Sequence, residues 1–223
     1  FFAYSDTPVY QHSYYLRSED DVATWTRLDG TVYSLPLTMS GGVVTNAEKI
    51  YNGTTAYIGR LACTASGHVH VAQSFTPGTS VTHYHGTTSF AAGTTFTGMN
   101  TGAAMESAAA GGITFVGAVS ATPNVIRRYY SGNDGTSWVG PTDLVTETGP
   151  RSSQWYWAKL TYIPGSAMLR VLWQARYSWY PAATSTAGGS GNGEGSASLF
   201  IADVPALPST SQALAVAVKV EGL

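Results

Sequence analysis

The chain has 223 residues, enough to bury a sizeable core as one all-β domain. Only 11% of them are charged and the net charge is -2, so electrostatic capture of a phosphate backbone is not expected and nucleic acid is excluded as a partner. No apolar stretch approaches the roughly 20 residues of a membrane span, the longest candidate, 213–220, being short and alternating.

With so few charges, hydroxyls, amides and glycine must cover most of the surface, a pattern of secreted and surface-exposed β-proteins. No basic segment leads from Phe1 into an apolar run, so no signal peptide is expected within these residues. Cys63 is the one cysteine, which excludes an internal disulfide. Its setting, Leu61-Ala62-Cys63-Thr64, reads as a strand with a buried small hydrophobe rather than a nucleophile.

In chain order the sequence reads as short β-rich runs between clusters of Gly, Pro, Asn, Asp and Ser. These runs fall at 9–16, 56–64, 68–75, 79–85, 113–120, 125–130, 157–163, 168–175, 197–204 and 213–220. The best helix candidate is 103–110, which runs into Gly111-Gly112. Regular short strands with turn signals predict a sandwich, a barrel or a propeller.

A repeat favours the last. The frame Ser-x-Asp-x-Gly-x-Thr-Trp, the Asp box, is matched at 18–25 through Ser18, Asp20, Thr24 and Trp25, losing only the Gly. At 131–138 it is matched through Ser131, Gly135 and Trp138, with Asn133 and Ser137 as close substitutes. A worn third copy spans Ser89 to Phe96. In such a frame the acidic or amide side chain caps backbone N–H groups, Gly supplies a positive φ, and the aromatic folds back between neighbouring sheets. The frames begin at 18, 89 and 131, so the spacings are 71 and 42, and the second suits one four-stranded module. The fold expected is all-β: a β-propeller-like array of about four to five antiparallel blades with Asp-box turns. The modules are placed at about 9–51, 56–110, 111–155 and 156–204, with a closing strand at 212–220.

The stretch Tyr14-Tyr15-Leu16-Arg17-Ser18, the frame through Trp25, and Asp29-Gly30 to Leu35-Pro36-Leu37-Thr38 resembles the BNR (bacterial neuraminidase repeat) propeller proteins. The nearest branch is that of the ulvan-type polysaccharide lyases. The resemblance covers about a fifth of the chain and implies a propeller larger than 223 residues supply, so only part of such a ring is matched. The family's catalytic set of His, Tyr and Arg finds no matching motif here.

Four of the five histidines, His68, His70, His83 and His85, fall in two strand runs. Residues i and i+2 share a strand face, so the two pairs are expected to oppose each other across a hairpin containing Pro77-Gly78. Such a set suits a metal site, or a catalytic group of His83, Tyr84, His85 and Arg128 for β-elimination of a uronate. It equally suits half-exposed strand residues bonded to neighbours. No Asp or Glu lies nearby in sequence to orient a metal-bound imidazole, so no metal and no cofactor is assigned. Arg127 and Arg128 are expected on opposite strand faces.

Aromatic residues mark the second candidate site: Trp155, Trp157, Trp173, Tyr177 and Trp179, with Arg176 among them. Such rings stack on the apolar faces of sugars, while inter-sheet packing would use many of them instead. A Gly- and Ser-rich stretch, 182–196, follows. The functional expectation is a glycan-binding module of a secreted or surface protein, non-catalytic. Alternatives are a polysaccharide lyase or glycosidase acting on an acidic glycan, and a structural or attachment protein of a virion or cell surface. A homo-oligomer or larger assembly fits the last, through strand 212–220 adding to a neighbour's sheet.

Overall fold

The computed structural model describes residues 2–6, 9–40, 43–52, 57–76, 80–99, 104–107, 112–119, 124–147, 153–163, 168–177, 197–205 and 216–220. Within them the regular structure is entirely β.

The first sheet pairs β1 (Phe2–Asp6) with β2 (Val9–Tyr15). The chain then makes a long excursion containing the small hairpin of β3 (Met39–Ser40) and β4 (Val43–Val44), and returns as β5 (Glu48–Asn52) beside β2. The second sheet is an antiparallel meander of β6 (Tyr57–Cys63), β7 (Val69–Thr76), β8 (Ser80–Gly86) and β9 (Ala91–Thr97). The third repeats that order with β10 (Ala104–Ser107), β11 (Ile113–Val119), β12 (Asn124–Ser131) and β13 (Val139–Glu147). The fourth has β14 (Ser153–Tyr162), β15 (Met168–Tyr177), β16 (Ala197–Pro205) and β17 (Val216–Val220). No ladder among the described strands joins one sheet to another. The sheets meet through side chains instead. Strand β6 adjoins β1 and β2 on one side and β10 on the other, and β10 adjoins β14.

Period-two alternation explains why the second sheet can serve two neighbours. On β7, Val69 and Val71 pack with Tyr15, Leu28 and Ile50 toward the first sheet. Ala72, Val81 and Phe96 meet Phe115 and Tyr129 toward the third. There the rings of Phe96 and Phe115 lie 4.5 Å apart and those of Phe96 and Tyr129 4.6 Å apart. Each such pair contributes about 1 kcal/mol beyond the area it buries.

The excursion after β2 is bonded down, not loose. Tyr33 Oη donates to the Tyr15 carbonyl at 2.8 Å and accepts from the Glu48 amide at 2.8 Å. Glu48 Oε2 in turn accepts from the Leu28 amide at 2.7 Å, and Tyr14 Oη from the Val44 amide at 3.0 Å. Leu28 is thereby lowered onto the first core.

Two frames fold into the same turn. In the first, the Val22 amide reaches Ser18 Oγ at 3.0 Å, the Thr24 amide reaches Asp20 Oδ1 at 2.9 Å, and the Ala23 amide reaches the Asp20 carbonyl at 3.1 Å. In the second, the Gly135 amide reaches Ser131 Oγ at 2.9 Å, the Ser137 amide reaches Asn133 Oδ1 at 3.0 Å, and the Thr136 amide reaches the Asn133 carbonyl at 3.1 Å. The fourth and fifth positions have positive φ in both: 52° at Asp21 and 65° at Val22, then 50° at Asp134 and 76° at Gly135. One conformation follows from one pattern of side-chain acceptors.

Several expectations are corrected. The span from Ser89 to Phe96 is not a third such turn: most of it is strand β9, because Ala91 stands where the capping carboxylate would be. Ala104–Ser107 is a strand, not a helix; its ladder with β11 and the burial of Met105 outweigh the helix preference of alanine. That strand starts the third sheet, so the sheet boundary precedes residue 111, and β14 begins the fourth sheet before residue 156. Strand β17 pairs with β16 as a member of its own sheet. Cys63 is exposed, not buried, the inward position being taken by Ala62.

Candidate functional site

The histidines gather at the seam between the second and third sheets. In the β7–β8 ladder His70 faces His85 and Ala72 faces His83. His83 is therefore diagonal to His70 on the shared face, where side chains remain within reach. His70 Nδ1 and His83 Nε2 are 3.0 Å apart. Their planes are parallel within 8° and their centroids are 5.2 Å apart, so the rings meet edge to edge in a single N–H···N bond. His85 stacks on His83 with centroids 4.8 Å apart and planes within 9°.

The opposite wall comes from the turn at 131–138. Trp138 sets its ring edge-on to His83 at 5.1 Å and 82°, and to Phe96 at 5.1 Å and 89°. Gly135 lies so close that a Cβ there would stand 2.3 Å from His83 Cε1 and 3.2 Å from His70 Nδ1. Asp134, the residue before it, reaches the rim. Its Oδ1 accepts from Ser66 Oγ at 3.0 Å and its Oδ2 lies 3.6 Å from His68 Nδ1. Ser66 Oγ is also 3.3 Å from His68 Nδ1. With the Ser66 proton committed to Asp134, Nδ1 of a neutral His68 is the donor and its Nε2 keeps the lone pair.

The seam is thus layered. His70 and His83 have no exposed surface. His68 and Asp134 keep 30% and 24% of their side-chain surface exposed, and His85 is half-buried. Burial drives the His70 pKa down to about 4 and that of His83 to about 3, with the neighbouring imidazoles adding to both. His85 is lowered as well, by burial first and then by His68, with Asp134 opposing. At neutral pH the buried rings are uncharged.

This geometry does not suit a metal. The facing nitrogens of His70 and His83 are engaged with each other. Among the described residues no group of three or more His, Cys, Asp or Glu is arranged to hold one.

The expected catalytic set is divided. His83 and His85 share the seam, but Tyr84, between them on β8, faces the first core and lies 6.3 Å from Tyr51. Arg128 is buried on the third sheet, where its Nη2 donates to Thr114 Oγ1 at 3.3 Å and its guanidinium lies 5.8 Å from the Tyr130 ring. It occupies the face opposite Arg127 and Tyr129, away from the histidines; Arg127 pairs instead with Asp143 at 2.7 Å. Asp134 supplies the carboxylate that the neighbouring sequence lacks.

The aromatic set lies on the fourth sheet. Trp155 and Trp157 are on β14, and Trp173, Arg176 and Tyr177 are on β15, with Trp155 paired to Ala175 and Trp173 to Phe200. Their side chains, Trp179 and residues 182–196 lie outside the described residues.

Sequence reasoning missed Ser66, Asp134 and the role of Gly135 and Trp138 as a wall. Ser66 lies two residues before His68, whereas Asp134, Gly135 and Trp138 come from a turn some 50 residues beyond the histidines and on another sheet. The one signal pointing to them was the frame itself, whose aromatic is expected between sheets. Among the described residues no helix is long and apolar enough to cross a membrane. No protein-family profile matches the chain, and no curated protein does.

Proposed function

We propose that the chain is a carbohydrate-recognising module of propeller type, carried on a secreted or surface-exposed protein, and that the rim of the histidine seam is a binding site. The observation carrying this reading is the half-exposed group Ser66, His68, His85 and Asp134, which is set on a buried, uncharged base. A hydroxyl, two imidazoles and a carboxylate fixed within a few ångströms offer donors and acceptors for sugar hydroxyls. The propeller arrangement is supported by the stacking of successive meanders through their first strands. Those strands begin at residues 57, 104 and 153, at intervals of 47 and 49.

Binding is favoured over catalysis because Tyr84 and Arg128 stand away from the imidazoles that would need them. The test is a glycan array of neutral and acidic oligosaccharides, followed by titration of any hit. His68→Ala and Asp134→Ala are expected to weaken binding at least tenfold. Loss only in Trp157→Ala moves the site to the fourth sheet. No binding to any glycan ends the reading. A rise in absorbance from unsaturated uronate, on incubation with an acidic polysaccharide, would replace it with a lyase.

A further inference from the structure

We propose that the seam between the second and third sheets is an acid-operated latch: protonation of the buried imidazoles releases the turn at 131–138 from strands β7 and β8. The inference concerns the fold alone and holds whether or not the rim binds sugar.

The bond between His70 Nδ1 and His83 Nε2 needs one nitrogen to be deprotonated. The outward nitrogens, His70 Nε2 and His83 Nδ1, are buried with no hydrogen-bond partner, as is His85 Nδ1. The neutral pair already buries one outward N–H without an acceptor, and a first proton adds a second, now on a buried cation. A second proton sets two N–H groups face to face. Either state calls for water. Gly135 and Trp138 occupy the ground from which water would come, so hydrating the rings requires the turn to lift.

The surroundings do little to hold a proton there. The titratable neighbours alongside them are His68, just before β7, and His85 on β8. The turn contributes Asp134, which is engaged at the rim with Ser66 and His68. From β6, Arg60 shares the face across Ala72, and from β12 Tyr129 lies against Phe96. The lowered pKa values of His70, His83 and His85 agree with this geometry. A folded-state pKa below the unfolded one means that the stabilisation is complete above about pH 6.5 and is lost as the pH falls toward about 4.

The turn at 18–25 is a control within the molecule, since it makes the same backbone bonds, and its fourth and fifth residues, Asp21 and Val22, are exposed. Hydrogen exchange of the full chain, corrected for intrinsic rates, is compared at pH 7.5 and 4.5. The Gly135 and Ser137 amides are expected to lose at least tenfold of their protection. Those of Val22 and Thr24 stay within twofold. Unchanged protection at Gly135, or equal loss at both turns, overturns the latch. His70→Asn with His83→Gln retains amide groups near the two bonded nitrogens without titrating, and should abolish the difference. If that variant does not fold, imidazole titration by NMR in the unaltered chain decides. A proton taken up by His70 or His83 without any change in the Gly135 and Ser137 signals rejects the proposal.

Discussion

At the scale of single residues, the two turns of one conformation differ at their fifth position. Val22 holds a φ of 65° that a β-branched side chain rarely adopts, and its side chain lies in solvent. Val22→Gly is expected to raise stability by about 1 kcal/mol in urea denaturation, strain relief outweighing the added freedom of the unfolded chain. Gly135 presents the opposite case. Gly135→Ala meets both a positive φ and His83 at 2.3 Å, and should cost upward of about 2 kcal/mol. Gly30 also has a positive φ, but nothing lies within 4 Å of where a Cβ would be. Gly30→Ala should therefore cost only about 1 kcal/mol. Equal losses at the two glycines would mean that the seam is not close-packed.

At the scale of elements, Ser131 is buried in its turn, and its Oγ accepts from the Gly135 amide. Ser131→Ala leaves that amide without its acceptor and should cost about 1–2 kcal/mol. Ser18→Ala, at the half-buried equivalent whose bond is open to water, should cost clearly less. Thermal melts of the two variants side by side provide the measurement. The strands themselves were legible because Gly, Pro, Asn and Ser clusters punctuate them, and the two good frames because their acceptors determine the turn directly. The third frame misled for a physical reason. Ser89, Gly93 and Phe96 are ordinary strand and turn residues unless a carboxylate or amide stands two places after the serine. Ala104–Ser107 misled in another way: alanines favour helix locally, and only the pairing with β11 makes them a strand. The candidate site was half legible. Alternation places His83 and His85 together and Tyr84 apart, yet no local pattern reveals which neighbouring sheet will cover them.

At the scale of the whole molecule, the imidazoles make stability depend on pH. Between pH 7.5 and pH 5 the folded chain should lose roughly 2 kcal/mol for each ring held neutral, from the distance between pH 5 and the ordinary histidine pKa. The urea midpoint at the two pH values measures this, and the His70→Asn, His83→Gln variant should show a much smaller difference. The expected array of sheets is observed as successive antiparallel meanders. Their first strands adjoin in order, but no ladder closes them into a ring among the described residues.

Strands β7 and β8 carry their residues to two seams at once, Val69, Val71 and Tyr84 to one and His70, Ala72, His83 and His85 to the other. Odd and even positions of one short segment are therefore separate alphabets. A lineage could rewrite the polar seam letter by letter while the apolar seam behind it keeps the same text.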